Sequence, residues 1–240
     1  MFSSTNRHSS KDGNMSIAEN IKEIRNHIPE GVQLVCVSKF HPCEAIMEAY
    51  AAGERRFGEN RPQEMQQKAP QLPQDIEWHF IGNLQTNKVK TVVPIATLIH
   101  SVSNERLFAE IERCAAKAGK VQDVLVELHV ASEETKQGFS PDEAIALITP
   151  GFIAAHPHTR ICGVMGMASN TEDKERIRAD FRAIAQTFRR MKETAFSDAP
   201  HFRHLSMGMS SDYGIAIEEG ATIVRVGSSI FGARDYGNRQ

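Results

Sequence analysis

Short apolar segments alternate with longer amphipathic segments along the chain from Ser16 onwards. The apolar segments have the length of buried β-strands, and the segments between them have the spacing of helices. This alternation is typical of parallel βαβ units. It predicts eight strands, over residues 33–37, 56–58, 78–81, 98–102, 124–130, 160–164, 202–206 and 222–226.

Capping signals predict where some of the intervening helices begin. Asn104 and Ser140 each stand at the start of an amphipathic segment, and Ser140 is followed by a proline and two acids. Apolar residues at helical spacing predict a long helix over residues 173–194. The series of strand–helix units predicts an α/β fold, a single (β/α)8 TIM barrel over residues 16–240. A doubly wound open sheet is less favoured, because no GxGxxG turn follows the first strand.

Composition limits the partners and the compartment. The chain has 240 residues, of which 40% are hydrophobic, and this is enough to bury one sizeable core. Its 28 basic and 30 acidic residues give a formal net charge of −2, so neither nucleic acid nor an anionic membrane is an expected partner. The four cysteines lack the spacing of a metal or redox motif, and no apolar segment approaches the roughly 20 residues that span a bilayer. We expect a soluble, reduced, cytoplasmic protein whose residues 1–15 form a disordered extension.

Polar residues follow the predicted strands, at the end of a barrel where ligands bind. Lys39 comes directly after the first strand. Burial there would lower the pKa of its amine and make it a nucleophile towards a carbonyl, which is the chemistry of imine formation. The alternative is a surface lysine whose ammonium group extends into water. The other candidates at strand ends are Asn60, His79, Asn83, Ser101, Ser206, Ser210, Arg225, Gly227 and Ser228.

The last two strands are followed by segments rich in serine and glycine. Loops after the seventh and eighth strands of a barrel frequently hold a phosphate through backbone N–H groups. The segments at residues 205–212 and 225–229 are therefore candidates for a phosphate cradle. A Gly-Ser pair after a strand is also a common turn, so the pattern alone leaves both interpretations open.

Two further residues have a functional and a structural interpretation. Arg225 ends the last strand, where a buried guanidinium needs a partner, either an acid or the ring nitrogen of a ligand. His79 could stack on a ligand or donate a hydrogen bond to it, or it could be a core histidine whose hydrogen bonds are satisfied.

Several separated motifs occur in the order seen in one family. They are VSKF at residues 37–40, FGEN at 57–60, WHFIGNLQTNK at 78–88, MGM at 165–167, LSMGMSSD at 205–212 and VRVGSSIFG at 224–232. Through them the chain resembles the pyridoxal phosphate homeostasis proteins (YggS/PROSC-like proteins) over residues 17–236. The resemblance implies a barrel similar to the N-terminal domain of alanine racemase. Asn83 and Arg61 depart from the residues frequent in the family, at the edge of the implied pocket.

The resemblance also implies a cofactor, pyridoxal 5'-phosphate (PLP), and a role for each site residue. Lys39 would form an imine with PLP, and Arg225 would donate to its pyridine nitrogen. Asn60 and Met207 would line the ring, while Ser210, Gly227 and Ser228 would hold the phosphate. The expected cofactor-binding residues are Lys39, Asn60, His79, Ser206, Met207, Ser210, Arg225, Gly227 and Ser228.

A carrier of PLP is expected rather than an enzyme. The related racemases use a second domain and a tyrosine base, and none of Tyr50, Tyr213 and Tyr236 is obviously placed for that role. A ring nitrogen that faces an arginine stays unprotonated and is a poorer electron sink. The alternatives are a single-domain PLP-dependent amino-acid racemase or lyase and, less favoured, an interaction module without a cofactor. The expected partners are PLP and apo forms of PLP-dependent enzymes, and the protein is expected to be a monomer.

Overall fold

The computed structural model describes residues 15–130 and 137–232. Eight parallel strands form a closed barrel in which each strand pairs with its neighbours along the chain and the last pairs with the first. The prediction of a single (β/α)8 TIM barrel is confirmed. The strands are β1 (Gln33–Val37), β2 (Arg56–Glu59), β3 (Glu77–Phe80), β4 (Leu98–Val102), β5 (Gln122–Leu128), β6 (Thr159–Gly166), β7 (His204–Ser206) and β8 (Ile223–Val226).

Helices cover the outside of the barrel. They are α1 (Ile17–His27), α2 (Cys43–Ala51), α3 (Pro62–Lys68), α4 (Val89–Val92), α5 (Glu105–Lys117), α6 (Pro141–Leu147), α7 (Pro150–Ala154), α8 (Lys174–Thr194), α9 (Tyr213–Glu218) and α10 (Ser228–Phe231). Two short 3-10 helices, Ala69–Gln71 and Thr86–Lys88, stand before and after β3.

The predicted helix starts are confirmed by their capping bonds. The Asn104 side chain accepts from the Leu107 N–H at the start of α5. The Ser140 side chain accepts from the Glu143 N–H, and the Glu143 carboxylate accepts from the Ser140 N–H. These two bonds make a capping box at the start of α6. The sequence did not predict α1, which has its own capping box at Ser16.

The strand boundaries differ from the predictions by one or two residues at several ends. β7 begins at His204, two residues later than predicted. Phe202 lies outside the strand, and its ring stacks on Phe196 and Phe188 with centroids 4.0 and 5.0 Å away. β5 begins and ends two residues earlier than predicted.

Alternation along each strand divides the apolar residues into two cores. In β1, Leu34 and Cys36 face the helices and belong to the larger core, whereas Val35 faces the barrel interior. The smaller, inner core contains Val35, Leu98, Leu125, Cys162, Met165 and Ile223. Towards the carboxyl ends of the strands, the barrel interior becomes polar. The polar end of the interior is therefore supported by the apolar inner core.

Two expectations concern the chain outside the barrel. The disorder expected for residues 1–15 falls, except for Met15, outside the described residues, and the expected boundary of the barrel domain stays a prediction. In residues 15–130 and 137–232, no helix is long and apolar enough to cross a membrane.

Candidate functional site

A cavity of about 310 Å³ opens at the carboxyl ends of the strands, near the join of β1 and β8. This is the end of a parallel barrel where ligands bind, and the volume is at the lower limit of small-molecule pockets. The lining residues are Val37, Lys39, His41, Ile81, Met167, Met209, Ser210, Ser211, Arg225, Gly227 and Ser228. The structure thus brings together five of the nine residues predicted for the site.

Lys39 reaches the cavity from a firmly held turn. Ser38, the residue before it, is fully buried, and its N–H donates to the Gly58 carbonyl at 3.0 Å, which extends the pairing of β1 with β2. Phe40, the residue after it, has φ 67°, in the left-handed region that side chains other than glycine rarely adopt. Lys39 is half-buried between these two residues, so its amine lies at a boundary between protein and solvent.

The loops after β7 and β8 meet on the opposite wall. The Gly227 N–H donates to the Ser210 hydroxyl at 3.2 Å, which ties the two loops together. A Cβ at Gly227 would approach both Cβ and the carbonyl oxygen of Val37 to 3.2 Å, so a side chain here would crowd the end of β1. Ser210, Ser211, Gly227 and Ser228 all line this part of the cavity, and the serine hydroxyls there can donate hydrogen bonds to an anion.

Arg225 supplies a cation to the floor of the cavity. Its Nη1 donates to the Ser206 hydroxyl at 2.6 Å and its Nη2 to the Gly166 carbonyl at 3.2 Å. Burial lowers the pKa of Arg225 to about 10, while the carboxyl groups of Asp212 and Glu127 act in the opposite direction. The guanidinium is therefore charged at neutral pH, and it is held by neutral oxygens.

Two histidines continue this hydrogen-bonded chain into the barrel. His100 Nδ1 lies 3.0 Å from the Ser206 hydroxyl, and His100 Nε2 lies 2.8 Å from His79 Nδ1. Burial lowers the pKa of His79 to about 3 and that of His100 well below its ordinary value, so both rings are neutral. Since each neutral ring has one donor nitrogen and one acceptor nitrogen, His100 donates one of these two hydrogen bonds and accepts the other. We call Arg225, Ser206, His100 and His79 the inner cluster.

The other four predicted residues do not line the cavity. Ser206 and His79 are buried beneath it in the inner cluster. Met207 is fully buried in the core between the barrel and the helices. Asn60, after β2, is half-buried, and its Oδ1 is buried without a hydrogen-bond partner.

Two strand-end candidates from the longer set lie elsewhere. Asn83 borders a separate groove together with residues of α5, and the Ser101 hydroxyl is buried without a partner. Of the methionines near the mouth, Met167 and Met209 line the cavity and Met165 packs in the inner core.

The sequence interpretation missed Glu127, a buried acid near the end of β5. Burial raises the pKa of Glu127 to about 7, and the positive charge of Arg225 opposes the shift. The available signal was an acid within the apolar segment VLVELHV, where a strand enclosed on both faces seldom carries a charge. In the described part of the chain, no group of three or more His, Cys, Asp or Glu side chains could hold a metal ion.

Sequence comparisons place the chain among proteins of similar length. The model of the alanine racemase N-terminal domain matches residues 15–235. A pyridoxal phosphate homeostasis protein of Aquifex aeolicus is 42% identical over 205 residues, which are 85% of this chain and 88% of the relative. The protein of the same name from Escherichia coli K12 is 33% identical over 237 residues, covering 93% and 99% of the two chains.

Solved structures of related proteins are also similar to this chain. PipY of Synechococcus elongatus, solved without PLP, is 36% identical and has a TM-score of 0.83 over 90% of this chain and 100% of its own. PipY with PLP bound has a TM-score of 0.80 at the same identity and coverage. Alanine racemase from Bartonella henselae shares the fold, with a TM-score of 0.69 at 15% identity, and this chain covers 60% of its length.

Proposed function

Since this chain belongs to the family of pyridoxal phosphate homeostasis proteins, with the fold of the alanine racemase N-terminal domain, we propose that it binds PLP through Lys39 and holds it in reserve. The proposal rests on the groups that line the different walls of one cavity. A strand-end amine, a buried guanidinium and an anion-sized cradle of serine and glycine border the same space. These are the groups that an aldehyde, a pyridine nitrogen and a phosphate require.

The residues present fit PLP. The cofactor supplies an aldehyde that condenses with a primary amine, and Lys39 provides the amine. Ser210, Gly227 and Ser228 would hold the phosphate, since the absence of a side chain at Gly227 leaves room beside Val37. Arg225 would donate to the ring nitrogen.

Asn60 offers a second sign of a missing polar partner. Its Oδ1 is buried and makes no hydrogen bond in the protein, which is costly unless a ligand or a water molecule supplies a donor. Asn60 directly follows β2, whose pairing with β1 brings it to the same end of the barrel as Lys39. We therefore retain Asn60 as a cofactor-binding residue.

The electrostatics of Arg225 favour storage over turnover. A guanidinium only donates hydrogen bonds, so a ring nitrogen that faces it stays unprotonated. Carbanion chemistry on PLP is helped by a protonated ring held by an acid. The two histidines behind Ser206 are neutral, so neither carries an imidazolium proton at neutral pH.

The described tyrosines also fit a non-catalytic role. Tyr50 donates to Asp75 at 2.8 Å on the outside of the protein, and neither it nor Tyr213 lines the cavity. A racemase would need a base on the face of the substrate opposite Lys39. Tyr236 lies outside the described residues.

The test of the binding proposal is borohydride reduction of the protein with PLP, followed by peptide mass mapping. The adduct is expected on the peptide that contains Lys39 and on no other. A colourless protein without an adduct, or an adduct on another lysine, would contradict the proposal.

The test of the storage role is incubation of the PLP-loaded protein with amino acids in deuterated water. Little exchange at Cα is expected. Robust exchange that disappears in Lys39→Ala would instead establish a single-domain racemase or lyase.

We also propose that the protein acts as a cytoplasmic monomer that supplies PLP to apo-enzymes. The four cysteines, Cys36, Cys43, Cys114 and Cys162, are all free thiols, which fits a reducing compartment. Light scattering should give the mass of one chain. Reactivation of an apo-enzyme faster than free PLP release from the protein would support direct handover, and a rate limited by that release would exclude it.

A further inference from the structure

A buried ion cluster lies outside the barrel wall, next to the turn that carries Lys39. Lys68, at the end of α3, is 8% exposed. Its Nζ donates to Glu59 Oε1 at 2.8 Å and to Glu64 Oε2 at 3.0 Å. We call Glu59, Lys68 and Glu64 the outer cluster. None of its three residues lines the cavity.

The positions of the three residues follow from local structure. Glu59 ends β2 and points away from the barrel interior, since Phe57, two residues earlier, belongs to the larger core between the barrel and the helices. Glu64 and Lys68 are four residues apart on α3, so they lie on one face of that helix. Packing of α3 beside β2 therefore brings two carboxylates and one ammonium group together.

The outer cluster grips the backbone on both sides of Lys39. The third donor bond of Lys68 Nζ goes to the Ser38 carbonyl oxygen at 3.0 Å, in the peptide group before Lys39. Glu64 Oε2 accepts from the Phe40 N–H at 2.9 Å, in the peptide group after Lys39. The Ser38 hydroxyl adds a bond to Glu59 Oε1 at 2.7 Å. Both peptide groups of Lys39 are thus bound by the same cluster.

The grip coincides with an unfavourable backbone conformation. In the described residues, Phe40 is the one residue other than glycine with a positive φ. A conformation of this kind persists only where the surroundings enforce it, and it tends to mark a functional position. The guanidinium of Arg61 also packs over the Phe40 ring, 4.4 Å from its centroid. The turn is therefore fixed at its backbone and at its side chain.

The cluster is not built for stability alone. Glu59 Oε2 is buried without a partner, and burial raises the pKa of Glu59 to about 6 even though Lys68 opposes the shift. Buried ion clusters of this sort contribute less to stability than apolar residues of similar size. Their benefit is geometric, because three charged groups fix each other and the backbone groups they bind.

We propose that Lys68, Glu59 and Glu64 are positioning residues for Lys39, which hold its two peptide groups so that the amine enters the cavity instead of solvent. This rests on the proposed function of Lys39. The positioning acts on the amine and not on the phosphate cradle. It should therefore affect any aldehyde that reacts with Lys39, with or without a phosphate.

The experiment uses the full chain and two probes, PLP and pyridoxal, which lacks the phosphate. The rate of covalent linkage is followed by absorbance for the wild type, Lys68→Met and Glu64→Ala. Both variants should react about tenfold more slowly with both probes, since a displaced amine loses its favourable approach. Amide hydrogen exchange of the Phe40 peptide should be faster in both.

Two control variants separate positioning from other effects. Lys120→Met removes another partly buried lysine that donates to backbone carbonyls, those of Val93 and Ala96 at 2.9 and 3.1 Å, and it should leave the rates unchanged. Ser210→Ala should slow the reaction with PLP and spare that with pyridoxal, because it alters the cradle alone.

The outcomes are distinguishable. Wild-type rates in Glu64→Ala, with the Phe40 amide equally protected, would overturn the positioning role while leaving the proposed function in place. Slower reaction with PLP but not with pyridoxal would also overturn it. If Lys68→Met fails to fold, Glu64→Ala decides the question, because it keeps the pair of Lys68 with Glu59 intact. A wild type that forms no linkage would overturn the proposed function, and this inference with it.

Discussion

The inner and the outer cluster bury cations on opposite sides of the barrel wall, but their surroundings balance the charge differently. In the inner cluster, Arg225 donates to a hydroxyl and a carbonyl, so within the described residues no direct ion pair cancels its charge. In the outer cluster, Lys68 contacts two carboxylates within 3.0 Å. The positive charge of Arg225 is therefore available to attract a ligand. The positive charge of Lys68, which fixes a backbone turn, is balanced by neighbouring carboxylates.

The largest effect is expected from Lys39→Ala, which removes the residue between the two clusters. Covalent linkage to PLP should disappear, because no other amine replaces the lost one at the cavity. The melting temperature should stay close to that of the wild type, since neither cluster loses a partner. Absorbance and thermal melting test this together. A variant that unfolds would show that the Lys39 side chain supports the turn itself.

Arg225→Gln tests whether the charge of the inner cluster is directed at the ligand. PLP affinity should fall by about 2 kcal/mol, or about thirtyfold in Kd, and the absorbance spectrum of the bound cofactor should change. The free energy of unfolding without PLP should change little, because the substitution removes a buried charge that has no direct ion pair and so leaves no acid without its partner. Lys68→Met, by contrast, should destabilise the protein, because it leaves two carboxylates near each other without their cation.

The matched control for Arg225→Gln is Arg182→Gln, which changes an exposed arginine that pairs with Glu219 at 3.0 Å. It should leave both affinity and spectrum unaltered. Equal affinity and an identical spectrum in Arg225→Gln would remove Arg225 from the binding site and erase the contrast between the clusters.

Glu127→Gln tests the effect of the buried Glu127 carboxyl group, whose pKa is influenced by the charge of Arg225, on the stability of the protein. The folded-state pKa of Glu127, about 7, lies above the ordinary value of 4.5, so its ionisation opposes folding. The favourable contribution of the protonated form is present at low pH and is lost as the pH rises through about 7. At pH 8 the variant should therefore be more stable than the wild type by about 2 kcal/mol, and at pH 5 by much less.

Chemical denaturation at the two pH values measures this difference. Glu30→Gln, at an exposed position, is the control and should show no such pH dependence. A stability gain that is the same at pH 5 and pH 8 would mean that Glu127 does not titrate in this range.

Ser206→Ala should have the smallest effect, because it loosens the inner cluster without removing its charge. Arg225 would keep its bond to Gly166 and lose the one to Ser206, and PLP affinity should fall by about 1 kcal/mol. The link to His100 would also be cut, so the nitrogen chemical shifts of that imidazole should change. Unaltered shifts and affinity would indicate that Gly166 alone orients the guanidinium.

Much of the barrel could be predicted from the chain because its determinants are local. The period of each apolar segment and the caps at Asn104 and Ser140 act within a few residues. Lys39 and the serine and glycine loops were found because a parallel barrel gathers whatever follows its strands at one end. The resemblance then assigned roles to positions that spacing alone left open.

The two clusters could not be predicted in the same way. The contacts of His100 with His79 and Ser206 depend on the stagger of β3, β4 and β7 around a closed barrel, which no single segment encodes. Met207 was expected at the ring but faces outward, since alternation from the inward Ser206 turns it towards the helices. The grip of Lys68 on Ser38 joins residues 30 positions apart through the packing of α3.

Pairing of β1 with β8 has a consequence for protein synthesis. Lys39, on the loop after β1, emerges from the ribosome before the proposed anion cradle on the loops after β7 and β8. Until the last strand docks beside the first, a nascent chain has a lysine but no pocket to trap a reactive aldehyde. Once docking occurs, a cofactor bound between the first and the last strand would stabilise the closed barrel, so its capture would report that the barrel has closed.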